Sequence, residues 1–268
     1  MDDIDPEIHP CINSHSIDDV CDYYDNVLNL DKTTYKSSND EPTPLNCVKE
    51  MINSIPSTFW QKDNLKILDP CCGNGNFGVY AYDKLKTYHN SKDILENILE
   101  FNDINEPRLN NVRSVFNNDN YNLQITNSDF LKNDSLQLYN LIMANPPYAK
   151  IMENGNRASK NHNLIKDFIQ QSLGKLEVGG YLLFITPDNW MSYADRNVLI
   201  KILTELQILR LDIHTAKKYF KKIGSSFTWY LIENTPSYKD INISGIWKKN
   251  EYISNVPSIQ RKYIPLLY

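Results

Sequence analysis

Residues 65–78 read LKILDPCCGNGNFG, and this stretch decides the fold. The apolar residues at its start predict a buried strand, the glycines a turn, and the pattern at 79–85 a helix. Gly73, Gly75 and Gly78 match the G-x-G-x-x-G fingerprint, in which glycines let the backbone approach a ligand closely. Alone, this spacing is a weak signal that also fits dinucleotide-binding proteins.

The acid before the turn, Asp69, distinguishes a dinucleotide from a cofactor that carries an amino acid. Dinucleotide sites carry an acidic residue about twenty positions after the glycines, and here the next suitable one, Asp103, comes later. Asp69 can face the ammonium group of an amino-acid-bearing cofactor such as S-adenosylmethionine, whereas its charge would repel a pyrophosphate. The sequence therefore favours S-adenosylmethionine.

Two later strand-like segments, 97–105 and 123–130, also end in acids. Asp103 is placed to accept both hydroxyls of a ribose, and Asp129 to accept from an adenine amine while Phe130 packs on the adenine ring. A single Asp in such a place is commonly a loop or cap residue. The acids indicate a site because each follows a successive predicted strand, and ligands bind outside the carboxyl ends of parallel strands.

The tetrapeptide Asn145-Pro146-Pro147-Tyr148 follows an apolar run at 141–144. Proline fixes its own φ and pushes the preceding residue toward extended geometry. The Asn145 side-chain oxygen and the Pro146 carbonyl can then accept both hydrogens of one exocyclic amine, which frees its lone pair for attack on a methyl group. Tyr148 would stack on the ring of the amine. A Pro-Pro turn closing a strand is the simpler explanation, but it accounts for neither Asn145 nor Tyr148.

These motifs resemble those of the S-adenosylmethionine-dependent DNA adenine-N6 methyltransferases of the gamma class, over roughly residues 43–232. The resemblance implies an α/β, Rossmann-like methyltransferase fold. Its sheet would be mostly parallel and seven-stranded, with an antiparallel edge strand and helices on both faces. Apolar segments at 181–185, 208–213 and 227–232 would supply the last strands, the final two as an antiparallel pair at one edge.

The resemblance also implies roles for individual residues. The cofactor-binding set would be Thr43 of a Thr-Pro pair, Asp69, Cys71, Gly73, Gly75, Asp103, Ile104, Asp129 and Phe130. Asn145, Pro146 and Tyr148 would be catalytic, with Phe220 stacking on the other face of the base and Phe227 as the alternative. Cys71 and Cys72 stand where small residues are usual in the family.

The activity implied is transfer of a methyl group from S-adenosylmethionine to the N6 amine of adenine in DNA. The adenine would be flipped out of the duplex, transfer would be direct, and no metal would be required. Enzymes that methylate RNA adenines or protein glutamines share the tetrapeptide, but Thr43-Pro44 and the Phe220 segment favour DNA. A non-enzymatic, cofactor-binding subunit of a methyltransferase complex is the remaining alternative, against which the intact tetrapeptide argues.

Composition fits an intracellular enzyme. The 268 residues contain no long apolar run, and the acidic start is not a secretory segment, so we expect no membrane association and a cytoplasmic location, or a host-cell compartment for a viral protein. The five cysteines predict free thiols. A net charge of −5 is unexpected for a DNA-binding protein, although four lysines surround Phe220: Lys217, Lys218, Lys221 and Lys222.

We expect three segments along the chain. Residues 1–34 form an acidic N-terminal lead with a helix after Ser16 and no assigned role, and residues 35–232 form the catalytic domain. Residues 233–268 form a short C-terminal extension that would correspond to a truncated target-recognition region. The chain would then be a catalytic fragment, or use a separate recognition subunit, or be a compact enzyme of loose specificity. Loss of activity in a chain that keeps the motifs is a fourth explanation.

Overall fold

The computed structural model describes residues 9–31, 33, 41–117, 121–148, 164–187, 198–220, 226–247 and 250–256. The chain divides into two compact units. The first contains residues up to Lys49 together with Pro56–Asn133, and the second contains Glu50–Ile55 and the residues from Asp134 onward. The predicted boundaries near residues 34 and 232 stay a prediction.

Seven α-helices lie in the described residues: α1 Ile17–Tyr23, α2 Leu45–Asn53, α3 Asn76–Leu85, α4 Ser91–Asp93, α5 Glu106–Phe116, α6 Leu164–Gly174 and α7 Val198–Glu205. Helices α1 and α4 each continue into a wider π-helical turn, Tyr24–Leu28 and Ile94–Ile98. Short 3₁₀ turns occupy Ser57–Gln61, Phe130–Lys132 and Thr215–Lys218. The helix predicted after Ser16 is confirmed, and Ser16 forms a capping box with Asp19.

The described residues contain nine strands: β1 Ile67–Asp69, β2 Leu99–Asn102, β3 Gln124–Thr126, β4 Tyr139–Ala144, β5 Leu176–Pro187, β6 Leu206–Ile213, β7 Phe227–Pro236, β8 Ile241–Trp247 and β9 Asn250–Val256. In the first unit the strand order is β3-β2-β1, and both pairings are parallel. In the second unit the order is β4-β5-β7-β6-β8-β9. The predicted α/β architecture is confirmed, since all seven predicted strands are present.

The carboxyl end of the second unit extends the sheet beyond the prediction. β6 and β7 form the expected antiparallel pair, but β6 also pairs in parallel with β8, and β9 runs antiparallel to β8. The antiparallel edge is therefore β9, and the expected place of the β6–β7 pair at the edge is wrong. Ile241 and Ile243 are fully buried in β8, and their burial stabilises a strand where the sequence suggested only a short extension.

Close packing in the first unit explains the third glycine of the fingerprint. A Cβ atom added to Gly78 in α3 would lie 2.5 Å from Cε1 of Phe101 in β2 and 3.0 Å from Cζ of Phe116 in α5. Both aromatic rings are buried, and they lie tilted against each other with their centroids 4.9 Å apart. Only glycine lets α3 approach β2 this closely, so Gly78 sets the position of the helix that follows the turn.

Within the described residues, no helix is both long enough and apolar enough to cross a membrane.

Candidate cofactor and target-base sites

Asp69 is the last residue of β1, and its carboxylate is buried at 1% exposure. One oxygen, Oδ1, accepts a hydrogen bond from the backbone N–H of Cys71 at 3.3 Å. The other, Oδ2, is buried and has no hydrogen-bond partner. Burial raises the pKa of this carboxyl well above its usual range and the charge of Asp103 raises it further, against the lowering effect of the Cys71 N–H.

The glycine turn, residues 72–75, is held by the second acid. Asp103 follows β2 and is 6% exposed. Its Oδ2 accepts from the Gly73 N–H at 2.8 Å, and its Oδ1 accepts from the Asn105 N–H at 2.8 Å. Gly73 and Gly75 have φ of +56° and +88°, values that strain other residues. A Cβ on Gly73 would meet nothing within 4 Å, so the backbone borders open space there.

Asn102, which the sequence analysis did not single out, joins the loops after the three strands of the first unit. Its side-chain Nδ2 donates to the Pro70 carbonyl at 2.9 Å and to the Ser128 carbonyl at 3.1 Å. Its Oδ1 accepts from the Ser128 hydroxyl at 2.8 Å, and its backbone carbonyl accepts from the Cys72 N–H at 2.9 Å. The sequence did contain a signal for this role, because Asn102 is an amide residue at a strand end, directly before Asp103.

The predicted cofactor residue Ile104 and the two predicted adenine residues, Asp129 and Phe130, differ in exposure. Ile104 is 63% exposed, which is unusual for its size and leaves an apolar surface next to Asp103. Asp129 caps the Phe130–Lys132 turn by accepting from the Leu131 N–H at 3.1 Å, and Lys132 Nζ lies 3.4 Å from its Oδ2. Phe130 is only 2% exposed. Ile104 and Asp129 thus offer surface to a ligand, whereas the Phe130 ring is packed within the protein.

The two remaining predicted cofactor residues lie in the same unit. Thr43 is buried directly before α2, and its carbonyl accepts from the Asn76 side chain at 2.9 Å. Cys71 is half-buried and follows Asp69 by two positions. Every predicted cofactor residue thus belongs to the first unit. Among them, the Cys71 N–H donates to Asp69 and the Gly73 N–H donates to Asp103, so hydrogen bonds join them in two pairs.

The tetrapeptide directly follows β4 in the second unit, as predicted. Pro146 is buried, and Asn145 and Tyr148 are half-buried. The Tyr148 hydroxyl donates to Asn145 Oδ1 at 2.6 Å. This bond fixes the direction of the amide oxygen, so the Asn145 side chain is oriented by the aromatic residue three positions later.

The aromatic residues predicted to stack on a base pack against one another in this structure. Phe220 and Phe227 are stacked with ring centroids 4.6 Å apart, and the Tyr148 ring lies 6.1 Å from that of Phe227. Phe220 is 3% exposed. The Phe227 ring therefore lies next to both predicted stacking residues, Tyr148 and Phe220.

The segment leading to Phe220 is anchored by polar contacts. The Tyr219 hydroxyl donates to Glu50 Oε2 at 2.7 Å, and Lys218 Nζ lies 3.1 Å from the same oxygen. Asp212, at the end of β6, accepts from the hydroxyls of Thr215 and Ser244. Burial raises the Asp212 pKa, while these two hydrogen bonds lower it. Of the predicted lysine cluster, Lys221 and Lys222 lie outside the described residues.

The strand order in each unit and the acids at the strand ends define a class I methyltransferase fold. Two solved structures share it. A modification subunit of a putative type I restriction enzyme from Vibrio vulnificus superposes with a TM-score of 0.66 at 15% identity, over 87% of this chain and 53% of that one. A putative class I S-adenosylmethionine-dependent methyltransferase from Listeria monocytogenes gives 0.65 at 15% identity, over 87% and 74%.

The family follows from the sequence match. The model of the Eco57I restriction-modification methylase family matches residues 47–220, which is more than half of the chain. The chain therefore belongs to this family of restriction-modification DNA methyltransferases. It is similar to the type II methyltransferase M.HincII of Haemophilus influenzae, with 24% identity over 241 residues. That alignment covers 82% of this chain but only 42% of the relative.

Asp69→Asn tests the assignment of an ammonium-binding carboxylate. We expect cofactor binding to weaken about 10-fold or more, because a hydrogen bond to a charged group contributes roughly 1.5–3 kcal/mol. The pKa of Asp69 is raised on folding, so its stabilising contribution is complete below its usual value of 3.8 and is lost as pH rises through the folded-state pKa. The unfolding free energy of Asp69→Asn, relative to wild type, should thus increase as pH rises from about 4 toward neutral.

Titration calorimetry with S-adenosylmethionine and urea unfolding across this pH range measure both effects. Asp63→Asn is the matched control, since Asp63 is an exposed carboxylate near β1. Equal affinity of wild type and Asp69→Asn would show that Asp69 is not the ammonium partner. A stability difference that does not change with pH would contradict the raised pKa of Asp69.

Proposed function

We propose that this chain carries the catalytic part of a DNA methyltransferase that moves a methyl group from S-adenosylmethionine to the N6 amine of adenine. The single observation that carries the proposal is the Asn145–Tyr148 tetrapeptide at the end of β4 in a member of a restriction-modification methylase family. The family supports DNA as the substrate class. The two acceptors and the aromatic residue of the tetrapeptide support an aromatic amine as the acceptor of the methyl group.

The residues of the first unit fit S-adenosylmethionine. The buried Oδ2 of Asp69 lacks a partner, and an ammonium group would satisfy it and stabilise its charged form. Open space borders Gly73, where the backbone would lie against the amino-acid part of the ligand. Asp103 would take the ribose hydroxyls, and Ile104 with Asp129 the adenine. When bound, S-adenosylmethionine supplies a methyl group attached to a positively charged sulfur.

The residues of the second unit would hold the amine. Asn145 Oδ1 and the Pro146 carbonyl would accept its two hydrogens, which keeps the nitrogen lone pair out of the aromatic ring and directed at the methyl carbon. Methylation would make the amine acidic, and the same two oxygens would hydrogen-bond the departing proton until solvent takes it. A carbonyl oxygen has two lone pairs, so the bond from Tyr148 orients Asn145 without making it useless as an acceptor.

Adenine in a duplex is stacked and paired, so the proposal includes flipping of the base at a cost of a few kcal/mol. Tyr148 and Phe220 would offset this cost by stacking, which contributes roughly 1–3 kcal/mol per base. Recognition of the DNA sequence by a separate subunit stays a prediction. The Vibrio neighbour is itself described as a modification subunit, which supports the idea of such an assembly.

Incubation of the purified chain with S-adenosylmethionine and unmethylated DNA, followed by nucleoside mass spectrometry, tests the proposal. We expect N6-methyladenine from wild type. Asn145→Ala should reduce the product at least 100-fold while the cofactor affinity changes less than about 3-fold, because Asn145 contacts mainly the target amine.

The other outcomes of this experiment are also decisive. Methylated cytosine, or product from RNA or a glutamine-containing peptide in parallel reactions, would contradict adenine in DNA as the substrate. Loss of cofactor binding in Asn145→Ala would contradict the division of roles between the two units. Cofactor binding by wild type without any product would favour the role of a cofactor-binding subunit.

Phe220→Ala should weaken capture of the flipped base by about 1–3 kcal/mol, or roughly 5- to 150-fold. Fluorescence of 2-aminopurine at the target position measures this loss, because the base brightens when it leaves the stack. Phe59→Ala is the control for the loss of a buried ring, since Phe59 is buried in the first unit and packs edge-on against Trp60. An unchanged fluorescence response in Phe220→Ala would move the stacking role to Phe227.

A further inference from the structure

The N-terminal segment, residues 9–31, had no assigned role in the sequence. In the structure it is part of the first unit and is hydrogen-bonded to the glycine turn. Ile12 N–H also donates to the Val115 carbonyl at 2.9 Å, which joins the start of the segment to α5. The segment therefore touches the same turn that the proposed cofactor site uses.

Tyr24 makes the central contact. Its side chain is completely buried, and its hydroxyl donates to the backbone carbonyl of Asn74 at 2.6 Å. The same hydroxyl would lie 3.4 Å from a Cβ on Gly75, so it packs directly against the turn. Burial raises the pKa of Tyr24 well above its usual value, which keeps the phenol protonated as a hydrogen-bond donor.

Side chains of the turn reach back to the same segment. Asn74 Nδ2 donates to the Leu28 carbonyl at 3.4 Å, and Asn76 Nδ2 donates to Asn29 Oδ1 at 3.3 Å. Asn74 and Asn76 are both nearly fully buried. The turn and the N-terminal segment thus exchange hydrogen bonds in both directions.

The backbone of the segment widens at this contact. The Asn29 N–H donates to the Tyr24 carbonyl at 2.9 Å, a bond that spans five residues and begins the π-helical turn Tyr24–Leu28. Single π-helical turns are rare and occur frequently at functional sites. The wider turn brings Tyr24, Leu28 and Asn29 to the glycine turn together.

Glycines do not hold a left-handed conformation by themselves, because they adopt many others in the unfolded chain. The turn at Gly73 and Gly75 needs partners on both sides. Asp103 holds the Gly73 N–H, and the N-terminal segment holds the residue between the two glycines, Asn74, through its carbonyl and its side chain. If either partner is removed, the glycine turn can adopt other conformations, in which it no longer has the geometry that a ligand needs.

We propose that Tyr24 is a positioning residue for the cofactor, and that docking of the N-terminal segment and binding of S-adenosylmethionine are thermodynamically coupled. This inference rests on the proposed function only for the identity of the ligand. Coupling is reciprocal: the docked segment raises the affinity for the cofactor, and the bound cofactor stabilises the docked segment by the same free energy.

Tyr24→Phe removes the hydroxyl and keeps the ring. We expect the Kd of S-adenosylmethionine, measured by calorimetry well below the melting temperature, to rise about 3- to 10-fold, the range for one neutral hydrogen bond. Tyr23→Phe is the matched control, because the adjacent Tyr23 hydroxyl pairs with His9 and not with the turn. A merely structural role of Tyr24 would lower the melting temperature of Tyr24→Phe but leave its Kd equal to that of Tyr23→Phe.

Hydrogen exchange of the wild-type chain tests the reciprocal effect without a substitution. Amides of residues 17–29 should exchange several-fold more slowly when S-adenosylmethionine is bound. Unchanged exchange together with an unchanged Kd in Tyr24→Phe would overturn the inference and leave the proposed function intact. Failure of wild type to bind S-adenosylmethionine at all would overturn both, and would be seen in the first titration.

Discussion

The hydrogen bond from the Gly73 N–H to the carboxylate of Asp103 is the constraint on which the proposed cofactor site depends. It joins the turn after β1 to the end of β2 and fixes a glycine in the left-handed region, a conformation that has to be enforced by its partners. The Asn102 side chain adds bonds from the same strand end to the loops after β1 and β3. A short parallel sheet thereby presents three loops as one surface, which is the usual place for a ligand in α/β folds.

The electrostatics of this surface are unfavourable without a ligand. Burial and the charge of Asp103 raise the cost of a negative charge on Asp69, and Asp69 has a buried, unpartnered oxygen. Such a group costs stability unless a cation or a donor satisfies it. The arrangement is explained if the buried acid serves a positively charged ligand, since the ligand then recovers the free energy that folding lost.

The local parts of this structure could be predicted from the sequence. The strand, turn and helix around Gly73–Gly78 and the cap at Ser16 depend on neighbouring residues. The proline pair after β4 likewise acts within a few positions. The contact of Tyr24 with Asn74 could not be predicted, because the two residues are 50 positions apart and no pattern in the N-terminal segment indicates its partner. β8 and β9 were missed because β8 pairs with β6 and β9 pairs with β8, so both strands depend on the finished sheet.

Phe220 shows the same limit at the level of a side chain. The sequence indicates an aromatic residue before a late strand, but not that its ring stacks on Phe227. Burial of both rings in the absence of a base follows from the hydrophobic effect, which favours self-packing whenever two apolar faces can meet. The role of such a residue therefore depends on how readily the stack opens, and this is a property of the folded protein.

A crystal structure of the chain with S-adenosylhomocysteine tests the central claim most directly, because it shows which groups the ligand satisfies. The account predicts that the ligand amino group lies about 3 Å from Asp69 Oδ2 and that the ribose hydroxyls donate to Asp103. An amino group bound elsewhere, with Asp69 Oδ2 still buried and unpartnered, would contradict the account.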